Sequence, residues 1–392
     1  MTRNEHLNKI LELGNSYNNL VLQLSTGVGK TRMAIELLKK WNCKNVLVVL
    51  YYNTLSNEWI TEKEKWNYDD NLCFVNYKSL LKVVNKNWDC IVFDEVHHYT
   101  EKADDAILIS KLTCSHMIAL SATIPKIVKD RLRDTFGNIY VYKVDLRNAI
   151  EDNILPDPKV QLIQLQLDNT LLLETIVKNE KKGNPIQLTY NERFIKIKDR
   201  KVIIPCTEQQ YYEYISNRVE YFKRQYELSR NFVMKNLWLQ TAGKRLKWLS
   251  DKKNNILLDI LKKLDDKRTI TFCNSIQQAE LLGKNCINSK NKESDELLKK
   301  FNNLEINHIT CIDMLNEGKN LTNCEVGIYA YLTNSNIRIK QQSGRLLRHK
   351  EPLFIIPYYV NTRDEDIVAK MVNDYNVDLI TITTNFKKNL KK

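Results

Sequence analysis

The sequence predicts an α/β protein with two parallel β-sheets, one in each half of the chain. Short apolar runs rich in β-branched residues alternate with longer stretches of helical spacing, which is the pattern of βαβ units. These runs are apolar throughout, as expected of strands that are buried on both faces. The alternation stops near residue 146 and resumes after residue 268, so the 392 residues are expected to form two such units.

The first unit contains five candidate strands, and a segment with apolar residues at helical spacing, 31–41, separates the first two. The candidate strands are 20–24, 46–52, 72–77, 90–94 and 117–120. In the second unit, strands are predicted at 269–273, 308–312, 326–331 and 353–359.

The segment between the two units has a different pattern. Two prolines mark 148–159 as a linker. Residues 160–167 alternate like a strand, and 186–204 has the pattern of two strands of a hairpin. From residue 208 to about residue 264 the pattern is mostly helical.

These observations give a domain division. We predict a first domain at 1–147, the linker at 148–159 and a second domain at 160–392. The second domain would include a hairpin and a largely helical, basic insertion at about 168–267.

The charge of the chain favours a polyanionic partner. There are 60 Lys+Arg against 47 Asp+Glu, a net charge of +13, and basic residues displace counterions from phosphates. Over half of the excess lies in 211–268, with 14 Lys+Arg, 7 Asp+Glu and nine aromatic residues. One interpretation is a basic face laid along a phosphate backbone. The other is a solvated helical face packed on the second domain.

The composition argues against several classes of protein. The longest apolar run, 46–52, is far shorter than the ~20 residues of a membrane helix, and the N-terminus is charged where a signal peptide is apolar. The nine cysteines form no CxxC pair, so we expect reduced thiols and no zinc site. We therefore expect a cytoplasmic protein with no membrane partner. The abundance of asparagine is typical of an AT-rich genome, such as that of a phage or a low-GC bacterium.

A glycine-rich loop follows a strand and precedes a helix in LVLQLSTGVGKT. Glycines let backbone N–H groups turn towards phosphate oxygens, and the start of the helix adds a positive dipole end. In this arrangement Lys30 reaches the β- and γ-phosphates and the Thr31 hydroxyl holds Mg²⁺. The strict pattern has glycine where this chain has Leu24, yet the context predicts a nucleotide site. Its residues are Thr26, Gly27, Val28, Gly29, Lys30 and Thr31.

An acidic pair ends another apolar strand, in CIVFDEVHH. Asp94 stands where a second Mg²⁺ ligand belongs, and Glu95 is suited to polarise the water that attacks the γ-phosphate. The alternative is a solvent-facing pair of carboxylates, which the phosphate loop upstream disfavours. We interpret His97 as a coupling or packing residue, because no third metal ligand is near in sequence.

In order along the chain, TGVGKT, DEVH, SAT and QQSGRLLR resemble motifs I, II, III and VI of superfamily 2 helicases of the DExH type. VLVVLYYNTLSNEW resembles motif Ia, FVNYKSL motif Ib, TITFCNSIQQAELL motif IV and CIDMLNEGKNL motif V. The resemblance covers roughly 1–145 and 268–350 and lies nearest to phage and bacterial DNA helicases and restriction-motor subunits. It implies two RecA-like domains with ATP and Mg²⁺ in the cleft between them.

The resemblance also implies roles at matching positions. Gln341, Arg345 and Arg348 would reach the nucleotide from the second domain, where an arginine stabilises transition-state charge only when the domains close. Coupling of hydrolysis to strand movement is implied for His97, Ser121, Ala122 and Thr123. Further contacts are implied with the nucleotide at His6 and Gly318, and with nucleic acid at Tyr52, Asn53, Tyr77, Asn274 and Ser275.

The chain departs from the family pattern at three places. His6 stands in RNEHL where related helicases often carry R-x-x-Q, so base specificity is left open. Tyr51 and Tyr52 replace the usual Pro and Thr or Ser of motif Ia, and Asn320 replaces the usual Asp of motif V. These last changes would alter engagement of the strand, but none removes a residue required for hydrolysis.

The sequence therefore predicts an ATP-dependent helicase or translocase that acts on nucleic acid, with DNA favoured over RNA by resemblance alone. A monomer is expected, and the sequence specifies no protein partner. Two alternatives stay open. One is a nucleotide-gated nucleic-acid-binding or structural protein with negligible turnover, and the other is a motor subunit of a larger restriction-type complex.

Overall fold

The computed structural model describes residues 1–52, 55–100, 107–170, 173–178, 185–188, 193–196, 201–312 and 321–384. A six-stranded and a seven-stranded sheet dominate the structure. All neighbouring strands of these two sheets pair in parallel. The predicted class, an α/β protein with two parallel-sheet domains, is confirmed.

The first sheet and its helices are formed by the N-terminal part of the chain. The strands are β1 (Asn19–Leu24), β2 (Asn45–Leu50), β3 (Asn71–Asn76), β4 (Asn87–Phe93), β5 (Thr113–Ser121) and β6 (Tyr140–Val144). The helices are α1 (Arg3–Ser16), α2 (Lys30–Lys40), α3 (Leu55–Lys65), α4 (Lys126–Phe136) and α5 (Leu146–Glu151), with 3-10 turns at Tyr77–Lys82 and Val96–Thr100. The strand order is β3-β2-β4-β5-β1-β6.

Local sequence explains where several of these elements begin. Thr2 and Glu5 form a capping box that starts α1. Gly29 is the N-cap of α2, and its φ of +105° lies in the left-handed region that glycine adopts without strain. Asp145 caps α5, since its side chain accepts from the backbone N–H of Asn148. The predicted linker at 148–159 is thus helical at its start, which the sequence analysis missed.

The chain then enters and leaves the second sheet. After β7 (Lys159–Leu165), β8 (Leu173–Lys178) pairs antiparallel with β11 (Lys201–Cys206), and β9 (Pro185–Leu188) pairs antiparallel with β10 (Arg193–Lys196). The single hairpin predicted for 186–204 is corrected by this arrangement. The first two strands of that span form a hairpin, whereas the last strand pairs with a segment outside it.

Three helices follow where the helical pattern predicts them. They are α6 (Glu208–Ser229), α7 (Phe232–Lys252) and α8 (Asn254–Lys263). Helices α6 and α7 pack side by side and are called the helical arm (208–252). Inside it, Tyr226 stacks on Trp238 with ring centroids 6.1 Å apart, and Tyr211 packs against Trp248 at 5.0 Å.

The remaining elements complete the second sheet. The strands are β12 (Thr269–Phe272), β13 (Cys286–Ile287), β14 (His308–Cys311), β15 (Val326–Tyr329), β16 (Leu353–Tyr359) and β17 (Ile380–Thr383). The helices are α9 (Ile276–Leu282), α10 (Ser294–Asn302), α11 (Asn336–Leu346) and α12 (Arg363–Val372), with a 3-10 turn at Val377–Leu379. The strand order is β13-β14-β12-β15-β16-β7-β17.

Buried apolar side chains line both faces of each sheet. One cluster covers a face of each sheet and includes Ile154 and Leu155 from the connecting segment. Two further clusters cover the opposite faces. Burial of this kind supplies most of the driving force for folding, at about 25 cal/mol per Å² of apolar surface. The continuous apolar runs of the sequence are therefore explained by strands with two buried faces.

The base of the helical arm is fastened to the second sheet by buried polar contacts. Lys253, between α7 and α8, forms an ion pair of 2.7 Å with Asp364 at the start of α12, and both side chains are 2% exposed or less. Near it, the Tyr212 hydroxyl accepts from the Arg363 backbone N–H at 2.6 Å. The Ser250 hydroxyl donates to the Ala330 carbonyl at 2.9 Å. Removing one partner of the Lys253–Asp364 pair would leave an uncompensated buried charge. Any movement that separated the arm from the second sheet would carry the same cost.

Candidate nucleotide-binding and catalytic site

Five of the six predicted catalytic residues, from both halves of the chain, line one cavity of about 790 Å³. The cavity lies where the carboxyl ends of β1 and β4 meet α11 of the second sheet, which is where open parallel sheets place their ligands. Its lining includes Thr26, Gly27, Gly29, Lys30, Thr31, Asp94, Glu95, Arg345 and Arg348. We call it the nucleotide cleft. The structure thus brings together most of the residues predicted for catalysis and for the phosphate loop.

The phosphate loop, 25–31, adopts the backbone that its glycines permit. Gly27 and Gly29 have φ values of +90° and +105°, which residues with a side chain rarely adopt. A Cβ on Gly27 would lie 3.0 Å from Leu155 Cδ2. Val28 is 1% exposed and packs into the core, so only its backbone is available to a ligand. The loop is therefore shaped by the close approach of its own backbone and the connecting segment.

Glu95 is held by three polar neighbours. Lys30 Nζ donates to Glu95 Oε1 at 3.1 Å, and the Ser121 hydroxyl donates to Oε2 at 3.2 Å. His97 Nδ1 lies 3.3 Å from the same Oε2. Although burial opposes ionisation, the Lys30 ammonium and His97 hold the pKa of the Glu95 carboxyl well below its ordinary value. Glu95 also has a φ of +45°, an uncommon conformation for a residue with a side chain.

Asp94 experiences the opposite environment. Burial, together with the charge of Glu95, raises the pKa of the Asp94 carboxyl to about 6. Trp59 Nε1 donates to Asp94 Oδ2 at 2.9 Å, and the Glu95 backbone N–H donates to Oδ1 at 2.9 Å. Both carboxylate oxygens therefore have fixed hydrogen-bond donors.

The predicted coupling residues lie beside Glu95. His97 Nδ1 is 2.9 Å from the Ser121 hydroxyl, and the Thr123 backbone N–H donates to that hydroxyl at 3.3 Å. Ser121 is 1% exposed and His97 is 6% exposed, and Ala122 is partly buried between Ser121 and Thr123. A single hydroxyl thus connects the end of β5 with the acidic pair after β4.

The second parallel-sheet domain contributes α11 and the turn after it to the cleft. A Cβ on Gly344 would lie 2.4 Å from Thr26 Cβ, so only glycine allows α11 to contact the phosphate loop this closely. Arg345 and Arg348 line the cleft. Desolvation and the charge of Arg345 lower the pKa of the Arg348 guanidinium to about 10, which still leaves it cationic at neutral pH.

Carboxylates from α3 face these arginines. Glu58 and Glu62 line the same cleft as Arg345 and Arg348. Desolvation raises the pKa of the Glu58 carboxyl, while the charges of Arg345 and Arg348 act in the opposite direction. The cleft therefore contains negative charge that balances the two arginines.

The donor set of the cleft fits Mg²⁺ bound together with a nucleotide. Within the described ranges, no group of three or more His, Cys, Asp and Glu side chains is arranged to hold a metal ion by itself. Mg²⁺ at nucleotide sites takes one or two protein oxygens and completes its shell with phosphates and water. Asp94 and the Thr31 hydroxyl, which line the same cavity, are the residues that would hold it.

Sequence reasoning missed several residues that line the cleft or support it from behind. Glu58 and Glu62 lie one helical turn apart on α3, and between them Trp59 fixes Asp94. Arg3 donates to the carbonyl oxygens of Gly27 and Ile154 at 3.3 and 3.0 Å. The only signal in the sequence was the spacing of the two glutamates around Trp59. That spacing does not by itself indicate that the polar side of α3 lines the cleft.

Several predicted residues lie elsewhere. His6 is 5% exposed, with Nδ1 2.6 Å from the Tyr142 hydroxyl and Nε2 3.0 Å from Asp152 Oδ2, so neither ring nitrogen faces the cleft. Gln341 is 5% exposed and is absent from the cleft lining. Gly318 and Asn53, together with Asn320, lie outside the described residues.

The predicted nucleic-acid contacts differ in accessibility. Tyr52 is 48% exposed at the end of β2. Tyr77 is 4% exposed, because the 3-10 turn after β3 places its ring in the core, and this placement argues against the predicted contact. Asn274 and Ser275 follow β12, where the Ser275 hydroxyl caps α9 by accepting from the Gln278 N–H.

Two findings concern the wider chain. All nine cysteines are free thiols, and seven of them are buried. Every helix in the described part of the chain falls short of the length and apolarity needed to cross a bilayer.

Two family profiles match parts of the chain. The profile for the type III restriction enzyme, res subunit, matches residues 57–126, and that for the helicase conserved C-terminal domain matches residues 252–350. No curated protein matches the chain.

Solved structures share the fold at low sequence identity. A leucine-to-valine variant of Saccharomyces cerevisiae Dbp5 bound to RNA and ADP BeF3 aligns at a TM-score of 0.58 and 12% identity, covering 98% of this chain and 92% of Dbp5. A fragment of a putative HsdR subunit of a type I restriction enzyme from Vibrio vulnificus YJ016 aligns at 0.57 and 15%, covering 97% and 68%. The type ISP restriction-modification enzyme LlaBIII bound to DNA aligns at 0.59 and 11%, covering 98% and 31%. The shared fold is a tandem pair of RecA-like domains.

Proposed function

We propose that this chain, which belongs to the superfamily 2 helicases, is an ATP-hydrolysing motor whose turnover is driven by nucleic acid. The observation that carries the proposal is the convergence of Lys30, Glu95 and Arg345 on one cleft between the two sheets. A phosphate loop, a carboxylate base and cleft-lining arginines are the parts that phosphoryl transfer to water requires. A binding protein without turnover would need no ionised base beside the phosphate loop.

The geometry supports a role for each residue. Lys30, which now contacts Glu95, would turn to the β- and γ-phosphates when they enter. Glu95, ionised at neutral pH because of its neighbours, would accept a proton from the attacking water. Asp94 and Thr31 would hold Mg²⁺, which neutralises charge on the phosphates. Arg345 and Arg348 would stabilise charge that develops in the transition state.

We propose that closure of the cleft is the mechanical step. Gly344 contacts Thr26, and Leu155 contacts Gly27, so both the second sheet and the connecting segment touch the phosphate loop directly. A change of loop shape on phosphate binding would move these neighbours. His97, Ser121 and Thr123 would pass that change to the acidic pair. The domain division proposed with this scheme is 1–147, 148–159 and 160–392.

DNA is the proposed track. The match to a type III restriction enzyme subunit and the fold shared with LlaBIII bound to DNA favour DNA, whereas the fold shared with Dbp5 bound to RNA supports a nucleic-acid track in general. The helical arm would contribute through exposed lysines such as Lys244 and Lys247 on α7. Basic helices bind phosphate backbones by releasing counterions.

A restriction-type complex is the second candidate function. It is favoured by the profile match at 57–126 and by the likeness to the HsdR fragment. In that case the chain would be a motor subunit, and it would co-purify with a partner from its natural host. Hydrolysis by the isolated chain would then rise when the partner is added.

Steady-state ATP hydrolysis tests the main proposal. The rate is measured alone and with single-stranded DNA, duplex DNA, forked DNA or RNA, with Lys30→Ala and Glu95→Gln as controls. We expect strong stimulation by DNA, and a loss of about 100-fold or more in Glu95→Gln, the range seen for general bases. A flat rate that equals the Glu95→Gln rate for every polymer would instead identify a nucleotide-gated binding protein.

A further inference from the structure

Four aromatic side chains form a continuous row from the protein surface to the hydrolytic base. Tyr52 packs edge-on against Tyr51 with ring centroids 4.7 Å apart and planes at 89°. Tyr51 stacks on His98 at 3.6 Å and 11°, and His98 lies 4.1 Å from His97 at 37°. We call these four residues the aromatic relay. Each ring is in van der Waals contact with the next, so displacement of one ring moves its neighbour.

The inner end of the relay contacts Glu95. His97 Nδ1 lies 3.3 Å from Glu95 Oε2 and 2.9 Å from the Ser121 hydroxyl, which itself donates to Glu95. A rotation of the His97 ring would therefore change two of the contacts that orient the carboxylate. The orientation of a general base strongly affects its rate, since a displacement of about 1 Å can cost 100-fold.

The outer end of the relay is accessible. The Tyr52 side chain is 48% exposed and follows β2, at the same edge of the sheet as the acidic pair. Strand β2 is the direct neighbour of β4, and the Asp94 N–H donates to the Val49 carbonyl at 3.0 Å. An exposed tyrosine ring is a suitable platform for a nucleic-acid base, because every base has a stacking face.

We propose that the aromatic relay is a set of positioning residues that orients Glu95 when a base stacks on Tyr52. This inference rests on the proposed function, since it supplies the physical link between nucleic acid and hydrolysis. Tyr51 and His98 are the key members. Neither lines the nucleotide cleft, and together they form the closest stack of the row. The proposal assigns them to the response to nucleic acid and not to basal hydrolysis.

The test separates the relay from simple packing. Tyr51→Leu and His98→Ala remove stacking rings, Tyr51→Phe keeps the ring, and the double variant Tyr51→Leu/His98→Ala closes a thermodynamic cycle. For each protein we measure basal hydrolysis, maximal stimulation by single-stranded DNA, and DNA affinity by fluorescence anisotropy. Circular dichroism spectra identify any variant that has lost its fold.

The relay predicts a specific combination of results. Each single loss-of-ring variant should lose about fivefold or more of its stimulated kcat, the lower range of coupling between linked sites. Basal rate and DNA affinity should stay close to wild type, and Tyr51→Phe should restore stimulation. The double variant should lose no more stimulated kcat than the worse of the two single variants. Both residues act in series, so removing the second ring has no further effect once the first is gone.

Two outcomes would contradict the proposals, and each contradicts a different one. If single-stranded DNA stimulates the wild type and Tyr51→Leu equally, or if the two losses are additive, the relay is overturned while the motor function stands. If no polymer stimulates the wild type, the proposed function fails, and the relay fails with it. Should Tyr51→Leu unfold, His98→Ala decides the matter by the same criteria.

Discussion

Asp94 and Glu95 are neighbours in sequence but have carboxyl groups of opposite acidity. Burial beside another carboxylate raises the pKa of Asp94 to about 6, whereas Lys30 and His97 hold that of Glu95 below its ordinary value. A pair of acidic groups separated in this way can have different roles. In the proposed mechanism the ionised Glu95 would accept a proton, and Asp94 would become a better ligand once a cation offsets the cost of its charge.

A single histidine in the second sheet should make stability depend on pH. His308, 3.0 Å from the Thr271 hydroxyl, is largely buried, and this burial lowers its pKa from 6.5 to about 4. Between these values the unfolded chain binds a proton that the folded protein does not, so stability falls as the pH falls from 6.5 to 4. At pH 5 the contribution of His308 to this loss should be about 2 kcal/mol relative to pH 7.

Guanidinium unfolding at pH 7 and pH 5 measures this effect. His308→Asn keeps a polar side chain that does not titrate, so the wild type should lose more of its free energy of unfolding than the variant between the two pH values. Equal losses in the two proteins would show that His308 is not the responsible group.

The motif residues could be predicted because their signals are local. A phosphate loop needs glycines at fixed spacing next to a strand and a helix, and Lys30 and Thr31 follow from that spacing alone. Asp94 and Glu95 follow from a strand end. Tyr77 shows the limit of this reasoning, since the turn after β3 places its ring in the core and no local pattern distinguishes that placement from an exposed one.

At the level of single elements, helix α3 controls the charge of the cleft. Glu58 and Glu62 face Arg345 and Arg348 and add negative charge where a triphosphate would bind. Glu58→Gln/Glu62→Gln should therefore lower the KM for ATP by about two- to fivefold, the size expected of charges that water partly screens. Glu64→Gln, an exposed carboxyl on the same helix, is the matched control. A rise in KM would mean that the two glutamates bind the nucleotide directly.

The facing of α3 could not be predicted from its sequence. Its apolar residues Leu55 and Trp59 identify the buried side, but the identity of the element opposite its polar side depends on the second sheet. The prediction of strand pairing between residues 173 and 206 was wrong for a related reason. Antiparallel partners are chosen by tertiary contacts, and four short runs of similar composition allow several pairings.

At the level of the whole molecule, the helical arm should increase affinity for the track. Lys244 and Lys247 are exposed on α7. Lys244→Glu/Lys247→Glu should weaken DNA binding and reduce the slope of log affinity against log salt by about one for each lost phosphate contact.

Anisotropy titrations at several salt concentrations measure both quantities. Lys9→Glu/Lys40→Glu changes the net charge equally, but on helices packed against the first sheet. If both double variants lose the same affinity, net charge and not the helical arm is responsible.

The helical arm has the dimensions of a lever that is fixed at one end. Its 22-residue helix α6 is about 33 Å long, and its base is fixed to the second sheet by the buried pair Lys253–Asp364. A rotation of about 15°, typical of domain movements, would carry the far end through roughly 9 Å. Successive base pairs of DNA are spaced about 3.4 Å apart. On the proposed DNA track, such a rotation would carry the tip across more than two base-pair steps.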